Sequence, residues 1–152
     1  MGDKKLKFFP ISNSQIDDIL KRKLGRQYIG CFARNDLPKT LINGSYVINL
    51  DDKFSSGTHW TCMKVTDKEI LYFDSFGFIC PNEIIERKND RDIFYSTHEI
   101  QNIKSVGCGF YCIYFLCELH KNRDKVDILL EFENNNNIHN DKILKKWFNK
   151  NF

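Results

Sequence analysis

Gly107-Cys108-Gly109-Phe110-Tyr111-Cys112-Ile113-Tyr114-Phe115-Leu116 sets a cysteine between two glycines at the start of an apolar run that continues to about His120. An apolar run of this length with no polar face reads as a helix buried on every side, and so as the helix around which the fold is built. The cysteine at its mouth has a special environment. First-turn N–H groups without intrahelical partners, together with the positive end of the helix dipole, stabilise a thiolate there. Cys112 and Cys117 lie deeper in the same run and read as core residues. Cys108 is therefore the candidate nucleophile.

Around that helix the sequence predicts an α+β protein. Ser12 to Leu24 carries Ile16, Ile19, Leu20 and Leu24 on one stripe and reads as an amphipathic helix, with Gly25 as its stop. The segment through Leu37-Pro38 reads as a loop. Gly44 to Leu50, His59 to Val65 and Lys68 to Phe73 have the β-branched and aromatic character of strands, and Ile93 to Ser96 is a further candidate. A short helix is expected at Pro81 to Arg87, with two more at Lys125 to Phe132 and Asp141 to Phe148, separated by a loop at Asn134 to Asn137.

Composition bounds the possibilities. In 152 residues, 41% hydrophobic and 14% aromatic, there is material for one well-packed domain, so residues 1–152 are read as a single domain. A net charge of +3 from 23 basic and 20 acidic residues does not require a nucleic-acid partner and leaves room only for nonspecific contact. The first ten residues lack the apolar core of a signal peptide, which places the six cysteines in a reducing compartment. No apolar run approaches the roughly 20 residues that span a bilayer, so no membrane association is expected.

The second and third strands form a hairpin that brings chemistry together. If Thr66-Asp67 is a two-residue turn, Val65 pairs with Lys68, Lys64 opposes Glu69, and the ladder carried outward sets His59 opposite Asp74. Opposed side chains start only about 5 Å apart, close enough for a carboxylate to hold an imidazole. His59 is then the base for Cys108, and Asp74 the group that orients it. Gln101, through its amide NH₂, and the backbone N–H at the helix entrance are candidate donors to a developing oxyanion. Gly107 and Gly109 allow close approach of a substrate, and Trp60 reads as a wall of the site.

Together these residues resemble the adenovirus maturation protease family. The resemblance rests on GTHW at Gly57 to Trp60, YFDSFGF at Tyr72 to Phe78, Gln101, and CGFYCIYF at Cys108 to Phe115, in that order, with the family's seven-residue spacing from Gln101 to Cys108. It runs from about Ser12 to Leu119 and is nearest to compact members found in virophages and related DNA transposons.

The resemblance implies a papain-like arrangement, with a central buried helix packed on a mixed or antiparallel sheet and helices at its flanks. It implies a cysteine endopeptidase that performs limited proteolysis of capsid or core precursors at small, glycine-containing sites, within the virion and the host cell interior, with no metal and no cofactor. The order His, acid, Gln, Cys is shared with SUMO- and ubiquitin-like-protein proteases, so a deubiquitinase-like enzyme is the alternative. Asp74 stands where the adenovirus enzymes have Glu. No cysteine lies between Cys80 and Gln101, so the family's disulfide-linked activating peptide does not carry over. Two readings of other classes remain: a zinc-binding structural module using Cys108, Cys112, Cys117 and His120, and a capsid-binding module without activity.

Overall fold

The computed structural model describes residues 7–51, 59–101 and 106–152. Gly57 and Thr58 of the GTHW motif, the first six residues, and residues 102–105 between Gln101 and Cys108 lie outside the described residues. In chain order the elements are α1 (Asn13–Leu24), β1 (Tyr28–Ala33), β2 (Gly44–Asn49), β3 (Trp60–Val65), β4 (Glu69–Phe73), α2 (Asn82–Ile85), β5 (Asp92–Tyr95), α3 (Cys108–His120), α4 (Lys125–Leu129) and α5 (Asn137–Asn151). The five strands form one mixed sheet in sequential order, antiparallel at its centre and parallel at both edges.

The α+β expectation holds, and α3 spans the residues that the apolar run predicts, Cys108 to His120. All but His120 are buried. Strand alternation sorts the sheet into two faces. Val47, Cys62, Leu71 and Phe73 pack toward α3, where Phe73 stacks on Phe115 with ring centroids 4.5 Å apart. Tyr46, Ile48, Met63, Val65, Ile70 and Tyr72 form a second core with Leu37, Leu41, Cys80 and Ile84 on the opposite face. Helix α1 closes the α3 side through Ile16, Leu20 and Leu24, and its start is fixed by a capping box between Ser12 and Gln15.

Three expectations need correction. The segment between α1 and Pro38 is not all loop, because Tyr28–Ala33 forms the edge strand β1, parallel to β2. The helix at the C-terminal end begins at Asn137, not Asp141, because the Asn136 side chain caps it by accepting from His139 N at 3.2 Å. Asn140, fully buried, is a helix residue whose amide bonds Ile100 O, Glu133 O and Glu133 N. Within the asparagine run, Asn134 Oδ1 accepts Glu99 N at 2.8 Å and Asn135 N donates to Glu99 O at 2.8 Å, so the run is in part a helix start and in part an anchor for the chain leading to Gln101.

The hairpin register also differs from the one expected. Val65 pairs with Ile70 and Cys62 with Phe73, so the turn lies one residue later, at Asp67-Lys68. Thr66 explains the shift: its N–H donates to Glu69 O at 2.9 Å and its hydroxyl bonds both Glu69 O and Glu69 N, making it the last residue before the turn. Lys64 therefore opposes Leu71, not Glu69. Its ammonium reaches Leu119 O at 3.4 Å, while Glu69 faces Lys125 at 3.8 Å.

Candidate active site

The site lies where β3 and β4 reach the first turn of α3. Carrying the observed register outward sets His59 opposite Phe76 instead of Asp74, and their rings do stack, with centroids 3.8 Å apart and planes within 6°. Asp74 is then the diagonal neighbour of His59. The shift is by two positions, which preserves the face of every side chain, so the pair still meets. His59 Nε2 lies 2.7 Å from Asp74 Oδ1, and both residues are buried.

Asp74 sits in a tight turn. Its Oδ1 also accepts Phe76 N at 2.8 Å, and its carbonyl accepts Gly77 N at 2.9 Å. Gly77 takes φ 79°, and a Cβ there would come within 2.7 Å of Thr97 O, so only glycine closes this turn. The backbone N–H of Phe76 thus holds the same carboxylate oxygen that faces the imidazole.

Cys108 opens α3, with Gly107 as a cap residue that has no side chain to compete for the first-turn amides. The backbone N–H of Trp60 donates to Cys108 Sγ at 3.4 Å, which ties the thiol to the strand carrying His59. Burial pulls the His59 imidazole down, but the Asp74 and Cys108 side chains outweigh it, and the group is pushed up to about 9. His59 is therefore an imidazolium near neutral pH. Its Nδ1 is buried with no hydrogen-bond partner among the described residues, which makes it the ring nitrogen left to exchange a proton with the thiol.

Gln101 is almost fully buried, at 1% exposure. Its backbone N–H donates to Ser75 O at 2.8 Å, and its Oε1 accepts the Ser75 hydroxyl at 2.5 Å. The amide oxygen being taken, the NH₂ is the end that can serve an oxyanion. The predicted residues thus form one connected chain: Cys108 to Trp60 N and His59, His59 to Asp74, and Asp74 through its neighbour Ser75 to Gln101.

The remaining predicted residues also make packing contacts. The Trp60 indole donates to Ile11 O at 3.1 Å, and a Cβ at Gly109 would overlap the Ile11 side chain, so Gly109 makes room for the N-terminal segment. A Cβ at Gly107 would lie 3.0 Å from the Phe8 ring. Cys112 is buried and its thiol is raised well above the ordinary range by burial and by Cys62; Cys117 is pushed up to about 11. Those two cysteines and His120 do not gather with Cys108, and among the described residues no cluster of three His, Cys, Asp or Glu could hold a metal. His98 bonds Phe132 O at 2.8 Å, away from the thiol.

Sequence reasoning missed Ser75 and Phe76 as partners of the site. Their signal was present in the YFDSFGF motif: a serine and an aromatic directly after the acid, followed by a glycine that forces the turn.

No protein-family model and no curated protein matches the chain. Among solved structures it is similar to the ASFV pS273R protease, with TM-score 0.59 and 16% identity over 84% of this chain and 63% of that one. The Se-Met form of the same protease aligns with TM-score 0.50 and 18% identity over 69% of this chain and 43% of that one. At such identity the likeness is one of fold. This chain has the α+β architecture of that viral protease and spans less than two thirds of its length.

Proposed function

We propose that this chain is a cysteine endopeptidase, folded as one domain over residues 1–152. The observation that carries the reading is the buried His59–Asp74 pair at 2.7 Å beside a thiol at the first turn of a buried helix. An aspartate this buried, holding an imidazole whose titration Cys108 also influences, has little structural purpose: an apolar pair of the same volume would stabilise a core as well or better.

In this reading Cys108 and His59 form a thiolate–imidazolium pair. Cys108 Sγ attacks the scissile carbonyl, and the oxyanion is held by the Gln101 NH₂ and a backbone N–H at the start of α3. His59 passes its proton from Nδ1 to the leaving amine as the C–N bond breaks. The neutral imidazole then takes a proton from water, whose oxygen attacks the thioester, and expulsion of Cys108 Sγ restores the pair. Asp74 keeps Nε2 protonated and the ring oriented throughout.

The substrates we infer are capsid or core precursors of the same genome, cut at small, glycine-containing sites within the virion or infected cell. The reading draws on the adenovirus-type motifs and on the fold shared with the ASFV protease. Trp60 lines the approach to Cys108, while any contact with nucleic acid is nonspecific. Among the described residues no helix is long and apolar enough to cross a membrane. The test is to incubate the protein and its Cys108→Ala variant with those precursors and locate the cut by mass spectrometry. Cleavage next to glycine by the wild type alone is expected. Equal cleavage by both removes Cys108 as nucleophile, and reaction only with a C-terminally activated ubiquitin-type probe moves the substrate class to ubiquitin-like proteins.

A further inference from the structure

Resting on the protease reading above, we propose that Ser75 is a positioning residue for the oxyanion donor, so that one turn aligns both the base and the oxyanion hole. A glutamine amide has two ends of nearly equal size, and only one of them can serve. With NH₂ toward the developing charge it donates; flipped, it presents Oε1 and repels the oxyanion. Something must fix the amide, because a long side chain has rotamers to spare.

Ser75 supplies that constraint twice. Its hydroxyl donates to Gln101 Oε1 at 2.5 Å, and its carbonyl accepts both Gln101 N at 2.8 Å and Ile100 N at 3.0 Å. Ser75 and Gln101 are 4% and 1% exposed, so an amide oxygen deprived of the hydroxyl loses a buried partner. From the other side Asn140 Nδ2 bonds Ile100 O at 2.9 Å, which holds the backbone even if the hydroxyl is removed. The Ser75 hydroxyl therefore bears on the amide's orientation more than on the backbone's position. Asp74, its neighbour, holds His59, and Gly77 fixes the turn beneath both.

An oxyanion contact is made only in the transition state, so its loss lowers kcat and spares KM. The readouts are hydrolysis of a Gly-Gly-aminomethylcoumarin peptide and alkylation of Cys108 by iodoacetamide. Alkylation is a displacement that forms no oxyanion and reports only the thiolate. Ser75→Ala is expected to lose kcat roughly tenfold, less than the 10²–10³ typical of deleting a donor outright, with KM and the alkylation rate at wild-type values. Ser75→Thr, which keeps the hydroxyl, is expected to recover most of the loss. Wild-type kcat in Ser75→Ala overturns the proposal, as does a parallel fall in hydrolysis and alkylation, which marks a merely structural residue. Equal loss in Ser75→Thr with alkylation intact also overturns it, since the hydroxyl would not be what matters. Absence of hydrolysis in the wild type itself, with Cys108 alkylated normally, is a separate result that sinks the protease reading.

Discussion

At the residue scale the account turns on the charge state of His59. Its position up at about 9 has an identifiable cause, the Asp74 and Cys108 side chains acting against burial. The thiolate–imidazolium pair persists until the imidazolium loses its proton, so kcat/KM for peptide hydrolysis should fall on the alkaline side with a midpoint near 9. In Asp74→Asn the carboxylate's charge and hydrogen bond no longer oppose burial, and the alkaline limb should move to lower pH. A pH profile of the two proteins checks this, and an unmoved limb would show that Asp74 does not set the state of the base. The sequence offered Cys108, His59, Asp74 and Gln101 as candidates because the proposed chemistry needs those residue types in combination, and the structure connects them. Ser75 and Phe76 were in view within YFDSFGF but not assigned a role, because a serine bonding an amide and an aromatic stacking on a ring show their partners only once the turn is folded.

At the element scale the helices read well and the strands less so. Helix α3 is apolar on every side, and its span from Cys108 to about His120 agrees with the structure, while α1 showed its apolar stripe; the Ser12–Gln15 cap is seen only in the structure. Strand β1 escaped notice because it is an edge strand interrupted by Gly30, with a register irregularity between Tyr28 and Gly30. The hairpin register was off by one turn residue, since Thr66 carries a side-chain bond to Glu69 that residue-type preferences for two-residue turns do not weigh. The site survived that error because the ladder moved by an even number of positions. Leu20 of α1, like Ile16, is fully buried in the core that α1 shares with α3. Leu20→Ala should cost about 2–5 kcal/mol, and Ser12→Ala about 1 kcal/mol, both read from denaturant midpoints at unchanged slope. Comparable small losses for the two would mean that α1 is held by its cap and not by its buried face.

At the scale of the whole molecule, the proposed function assigns one of the six free cysteines, Cys108, as the reactive group and the others as packing residues. Cys31 is the only one of the six that is not buried, yet burial of its thiol pushes it up to about 12. Cys80 is likewise pushed up to about 12, and Cys112 and Cys117 are raised as well. Accessibility alone therefore selects Cys31, whereas the proposed chemistry selects Cys108, and the two are distinguishable in one measurement. The protein is treated with a limiting amount of a Gly-Gly vinyl methyl ester peptide, and the adduct is mapped by mass spectrometry in the wild type, Cys108→Ala and His59→Ala. The account predicts a single adduct on Cys108 that is absent in Cys108→Ala and strongly reduced in His59→Ala. Labelling of Cys31 in preference to Cys108, or labelling of Cys108 that is indifferent to His59, would contradict it.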